Sequence, residues 1–218
     1  MYVIEIALII FLLCCILFAE TFTKKIIAIV LLGFMIISTK LIKSYKSKGK
    51  YNKKVTGAMT TIGLVYIAVM YILGIYIGFY NATIKFSSWS IINYIIPYIV
   101  IIISTENIRK TILLKEDKKS KIIILIATVI LDVALTTNIY NTKTLNDYFM
   151  LIGVTIFSSI ANNLLYNYII IKYQNCKAII AYRLVTILYV YIIPIIPNIH
   201  ILFDAILKVI IPFYYYHF

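Results

Sequence analysis

Long apolar runs broken by lysine-rich connectors leave this chain few folds to choose from. A run of about 18 apolar residues crosses the roughly 30 Å hydrocarbon layer as a helix, because a helix satisfies its own backbone polar groups. Such runs lie at Val3 to Ala19, Ile26 to Ile42, Val55 to Tyr80, Ile91 to Ile108, Ile122 to Tyr140 and Tyr148 to Ile171. Two more, Leu184 to Ile199 and Ile201 to Phe218, are divided by Pro194, Pro197, Asn198 and His200, where lost amide donors and restricted φ favour a break. The expectation is an all-α, polytopic transmembrane helix bundle of about eight spans. Because 63% of the 218 residues are apolar and the connectors are short, residues 1–218 read as a single integral membrane domain with no soluble domain.

The cations set the expected orientation, since short loops rich in Lys and Arg stay on the cytoplasmic side. Lys40, Lys43, Lys46, Lys48, Lys50, Lys53 and Lys54 fall between spans two and three. Arg109, Lys110, Lys115, Lys118, Lys119 and Lys121 fall between four and five, and Lys172, Lys177 and Arg183 between six and seven. The alternate connectors hold only Lys24, Lys25, Lys85 and Lys143, so both termini are expected in the cytoplasm. Bias toward Ile, Lys, Asn and Tyr suggests an AT-rich coding sequence and hence a bacterial cytoplasmic membrane. The net charge of +13 then needs no nucleic acid, because the basic residues sit in short loops and not on one solvated face beside base-stacking groups. The lipid bilayer is the expected partner. Lys43, Lys46, Lys48, Lys50, Lys118 and Lys119 are read first as orientation anchors, and in a sharper reading as a site for anionic lipid headgroups.

The first span reads as a retained anchor. No Lys or Arg precedes it, and Leu17 would occupy the −3 position of a cleavage after Ala19, where a small residue is needed. Bulky Leu13 likewise argues against a lipoprotein signal at Cys14. Cys14 and Cys15 are neighbours in that span and Cys176 is assigned to a cytoplasmic loop, so no disulfide framework is implied. Tyr80, Phe86, Trp89, Tyr140 and Tyr148 are read as an outer aromatic belt, and Tyr45, Tyr51, Tyr173 and Tyr182 as an inner one.

Inside the spans, Asp132 stands out. It lies ten residues beyond Ile122, about 15 Å along a helix and close to the bilayer midplane, where a carboxylate costs about 2.5–3.5 kcal/mol to insert. Thr136 and Thr137 extend a polar stripe, and Asn162, Asn163, Ser158 and Ser159 are the expected hydrogen-bonding partners on the sixth span. The stripe reads either as glue between helices or as the lining of a cation or substrate pathway. Asp204 and Lys208 form an i, i+4 pair that neutralises itself on one helix face. Arg183 is expected to snorkel to the inner interface, and Gly74 and Gly78 make a GxxxG step for close helix packing.

Soluble-type catalytic patterns are missing from the sequence. There is no H-E-x-x-H, no phosphate-cradling G-x-x-x-x-G-K-[ST] and no G-x-S-x-G turn. The two histidines are His200 and His217, and Cys176 is assigned to the face opposite His200. No catalytic residue, metal ligand or cofactor is expected.

Three blocks carry a further signal: YNKKVTGAMTTIGLVYIAVMYILGIYIGFYNA at Tyr51 to Ala82, NNLLYNYIIIKY at Asn162 to Tyr173, and YRLVTILYVYIIPIIPNIH at Tyr182 to His200. They resemble the N-terminal multi-span region of bacterial proteins related to type I signal peptidases. The resemblance implies a membrane bundle followed by one further span and an extracytoplasmic serine protease domain. Those enzymes use a serine followed by methionine with a lysine or histidine base, and this chain has no Ser-Met dipeptide. It therefore implies an anchor or client-presenting module, non-catalytic by itself, with a downstream protease domain or partner membrane subunit. Two other classes stay open: a small-molecule transport subunit similar in size to the substrate-binding component of energy-coupling-factor transporters, though without their small-xxx-small first span, and a membrane assembly protein.

Overall fold

The computed structural model describes residues 2–17, 23–41, 53–82, 84, 86–114, 118–136, 143–199, 203, 204, 206, 207 and 210. Seven helices carry the fold: α1 (Tyr2–Leu17), α2 (Lys24–Leu41), α3 (Lys53–Ile77), α4 (Ser88–Leu113), α5 (Lys118–Thr136), α6 (Leu145–Tyr173) and α7 (Cys176–Ile192). Two three-residue strands, β1 (Phe79–Asn81) and β2 (Ile195–Pro197), follow α3 and α7. The protein is thus helical as expected. By length and composition α3, α4 and α6 can each cross a membrane. The eight spans expected are not borne out at that standard, because α1 has 16 residues and α7 has 17, and α2 and α5 carry at least three charged residues in every stretch of 18. The last expected span, from Ile201, and the His200 break lie almost wholly outside the described residues.

Local chemistry explains where the long helices begin and bend. Ser87 caps α4, its side chain accepting from the Ser90 amide while the Ser90 hydroxyl takes the Ser87 amide in return. Pro97 follows two turns later, and a proline can neither donate to the carbonyl four residues back nor fit beneath it. The turn just before it, Ile91–Ile95, is accordingly widened to a π-helix. Helix α6 starts on a Thr144–Asp147 capping box and carries its own π segment, Met150–Ile156. It stops at Gln174, whose left-handed φ of 50° turns the chain straight into α7. Asn175 caps that helix and also ties it to α3, accepting from the Ala178 amide and donating to Thr56 Oγ1 at 2.9 Å. Cys176 is therefore in the first turn of α7 and buried, not in a loop.

Helices α4, α5, α6 and α7 form the middle of the bundle, with α2 packed on α4, α3 on α7 and α1 on α5. Leu8, Leu12, Leu31, Ile101, Ile124, Leu131, Ile170 and Ile179 pack into the main core, each under 5% exposed. Large apolar side chains on the outside, such as Ile29, Ile75 and Phe157, are more than 70% exposed, as the lipid-facing surface of a membrane bundle requires. Trp89, Phe86, Tyr80 and Tyr148 are exposed, as belt residues would be, but Tyr182 is 2% exposed and belongs to the core.

Since α3 and α7 end side by side, their outgoing chains pair antiparallel, Phe79 with Pro197, Tyr80 with Ile196 and Asn81 with Ile195. Gly78 makes this exit possible by adopting φ +97°. Gly74 lies under the pair: a Cβ there would be 2.6 Å from Cε1 of Phe79 and 3.0 Å from Cβ of Pro197. The GxxxG step thus serves the strand pair and not a second helix. Gly74→Ala is expected to cost about 1–2 kcal/mol, read by thermal unfolding in detergent. Gly33→Ala, with nothing within 4 Å of its Cβ position, is the neutral control, and most of the Gly74→Ala cost should vanish in a Phe79→Ala background.

Candidate functional site

Five side chains from the four central helices close into a ring. Glu106 of α4 accepts Arg183 Nη1 of α7 at Oε1, 2.7 Å away. Arg183 Nη2 donates to Asp132 Oδ1 of α5 at 3.0 Å. Asp132 Oδ2 accepts from Asn163 Nδ2 of α6 at 2.7 Å, and from the Ser159 hydroxyl at 2.7 Å. Asn163 Oδ1 accepts from Arg109 Nη2, and Arg109 Nε returns to Glu106 Oε2 at 3.0 Å. Arg109 Nη1 is also held, by the Asn163 carbonyl at 3.2 Å and Asn167 Oδ1 at 2.9 Å.

Helix geometry makes the ring possible. Glu106 and Arg109 are three residues apart on α4 and so share a face. Ser159, Asn163 and Asn167 are spaced by four on α6, and Asn163 is steadied by donating back to the Ser159 carbonyl at 2.8 Å. The Asn163 amide has a forced orientation, carbonyl end to a cation and NH₂ end to an anion. Tyr166, one position from Asn167, lays its ring beside both guanidinium groups, 5.4 Å from Arg109 Cζ and 5.8 Å from Arg183 Cζ. Tyr182 supports it edge-on at 6.1 Å.

Electrostatically the ring alternates in sign and sums to zero, with two carboxylates and two guanidinium groups. Glu106 and Arg109 are fully buried and Arg183 is 5% exposed, whereas the Asp132 side chain keeps 21% of its surface open. A buried charge is costly unless it is paired and hydrogen-bonded, and the compensation here is nearly complete: Glu106 Oε2 and Arg109 Nε face each other as an ion pair at 3.0 Å without hydrogen-bonding geometry. Arginine suits the task, because a planar guanidinium presents fixed forked donors that reach two different partners at once, as Arg183 does with Glu106 and Asp132.

Asp132 and Asn163 do meet, as the polar stripe implied, and Ser159 joins them. Asn162 faces elsewhere, Ser158 bonds its own helix at the Thr155 carbonyl, and the Thr136 hydroxyl donates to the Asp132 carbonyl and not to its carboxylate. Two expectations for the cations are overturned. Arg183 does not snorkel, because Glu106 and Asp132 hold it in the core. Arg109 is not a loop residue, because α4 runs on to Leu113 and buries it. Glu106 is a third member that the sequence reading missed. Its signal was present: Thr111 to Leu114 continue the apolar helix past Arg109 and Lys110, which makes Glu106-x-x-Arg109 an internal i, i+3 pair.

Asp204 is a partner of the Tyr66 hydroxyl, and Tyr66 in turn stacks edge-on with Tyr189 at 6.3 Å. Lys208 lies outside the described residues, as do Lys43, Lys46, Lys48 and Lys50. Lys118 and Lys119 are exposed at the start of α5. Among the described residues no group of His, Cys, Asp and Glu could hold a metal ion.

Comparison with known proteins finds no family model, no curated protein and no solved structure that matches this chain. The resemblance to signal-peptidase-like proteins therefore rests on the sequence blocks alone.

Breaking the ring on one side strands a charge in the bundle. Glu106→Gln and Arg183→Gln are each expected to lower stability by about 3–5 kcal/mol, while the double variant, again neutral overall, should lose clearly less than the sum. A double-mutant cycle of unfolding in bicelles measures that coupling.

Proposed function

We propose that this chain is a non-catalytic, membrane-embedded helical module that anchors and presents a partner or client. The observation that carries this reading is that the central charges are spent on one another. The ring turns its carboxylates, guanidinium groups and Asn163 amide inward, so its geometry supports a rigid scaffold better than a binding site or a reaction centre.

In this reading the lysine-rich connectors face the bacterial cytoplasm, the β1–β2 pair faces outward and the chain crosses the membrane about eight times. The signal-peptidase-like blocks extend the reading to a client-presenting role beside a serine protease domain supplied by further sequence or by a partner subunit. The coding sequence around this segment checks that extension.

Detergent-purified protein should show no thermal shift with a panel of vitamins, amino acids and monovalent cations. A ligand that binds only the folded state stabilises it in proportion to its occupancy. A reproducible upward shift of several degrees, lost in Asp132→Asn while that variant stays folded, would replace the scaffold reading with transport.

A further inference from the structure

We infer that a closed cavity between α4 and α5 is a binding site for one water molecule, held by the hydroxyl groups of Thr105 and Thr128. The cavity measures about 10 Å³, just the space that a single water occupies. Thr105 and Ile108 of α4 and Ile124, Ala127, Thr128 and Leu131 of α5 form most of its wall, and leucines of α1 and α2 complete it. Each of these side chains is under 5% exposed, so the packed bundle seals the cavity from lipid and from bulk water.

Thr105 supplies the reason for an occupant. Helix threonines elsewhere in this protein satisfy themselves: Thr60, Thr111, Thr128, Thr136 and Thr186 each donate to the carbonyl four residues back at 2.7 to 2.9 Å. Thr105 does not, and its buried Oγ1 has no hydrogen-bond partner among the described residues. Leaving such a hydroxyl unpaired costs the full desolvation of the group. Across the cavity the Thr128 hydroxyl gives its proton to the carbonyls of Ile124 and Leu125, at 2.9 and 3.0 Å, so its oxygen is left as an acceptor. Water carries both protons and lone pairs and joins the two: Thr105 donates to the water, and the water donates to Thr128 Oγ1. An ion does not suit the same space, because seven aliphatic side chains offer nothing in place of its hydration shell. Thr105 immediately precedes Glu106, and Thr128 lies one turn before Asp132. The water therefore ties together the two helices that carry the carboxylates of the ring, on the side covered by α1 and α2.

Crystals of the full chain grown from a lipidic mesophase test this directly. A density peak should lie about 2.5–3.0 Å from both Thr105 Oγ1 and Thr128 Oγ1; it should persist in Thr105→Ser and be lost in Thr105→Val. Thermal unfolding in detergent gives a second readout whose sign discriminates. With water bound, Thr105→Val exchanges a satisfied hydroxyl for a methyl group and should lower the midpoint by about 2–4 °C. An unpaired hydroxyl would make the same substitution raise it, because a buried polar group without a partner is then removed. No peak between the two threonines, as when the Thr105 hydroxyl is found bonded to the Ile101 carbonyl, or a midpoint unchanged or raised by Thr105→Val, overturns the proposal.

Discussion

Every carboxylate in the ring of Glu106, Arg183, Asp132, Asn163 and Arg109 has a cation to face, and that compensation is what allows four helices to meet on ionised groups inside an apolar bundle. The cost of removing charge from water is large and the return through pairing is comparable, so such a network is not by itself a source of great stability. Its effect is on choice of structure. A helix α4 turned by one residue, or an α6 shifted by one turn, would leave a guanidinium without its carboxylate. Apolar helices in lipid discriminate weakly among their neighbours; this ring discriminates strongly.

The outlying helices depend on that choice. α2 lies on α4, α3 on α7 and α1 on α5, each against a helix whose face the ring has already fixed. Polar contacts at the margins are fewer and simpler. Ser120 donates to both Glu5 oxygens at 3.1 and 3.2 Å to join α5 to α1, and Lys24 of α2 sits 4.6 Å from the centre of the Tyr98 ring on α4. Each stitches an outer helix to its inner neighbour near one end, the Glu5–Ser120 pair buried on both sides.

Both π segments precede ring-bearing stretches, Ile91–Ile95 about three turns before Glu106, and Met150–Ile156 within two turns of Ser159 and Asn163. A π turn inserts extra backbone per turn and so resets the angular position of everything after it. In α4 the insertion accommodates Pro97; in α6 it surrounds Gly153, with no proline to require it.

The amino-acid order by itself determined that the chain is helical and apolar enough for a membrane, since run length and backbone hydrogen bonding leave little freedom. It also exposed Asp132 and Asn163 as polar groups in apolar surroundings, because spacing along one helix is a local property. The role of Arg183, the membership of Glu106 and Arg109, and the destination of Gly74 could not be read that way. An arginine at a span's end looks the same in sequence whether it snorkels outward or turns inward, and a GxxxG step looks the same under a helix or a strand pair. Only the tertiary structure decided these, because a buried charge is assigned by the opposite charge it meets, and that partner lies on another helix 51 or 77 residues away.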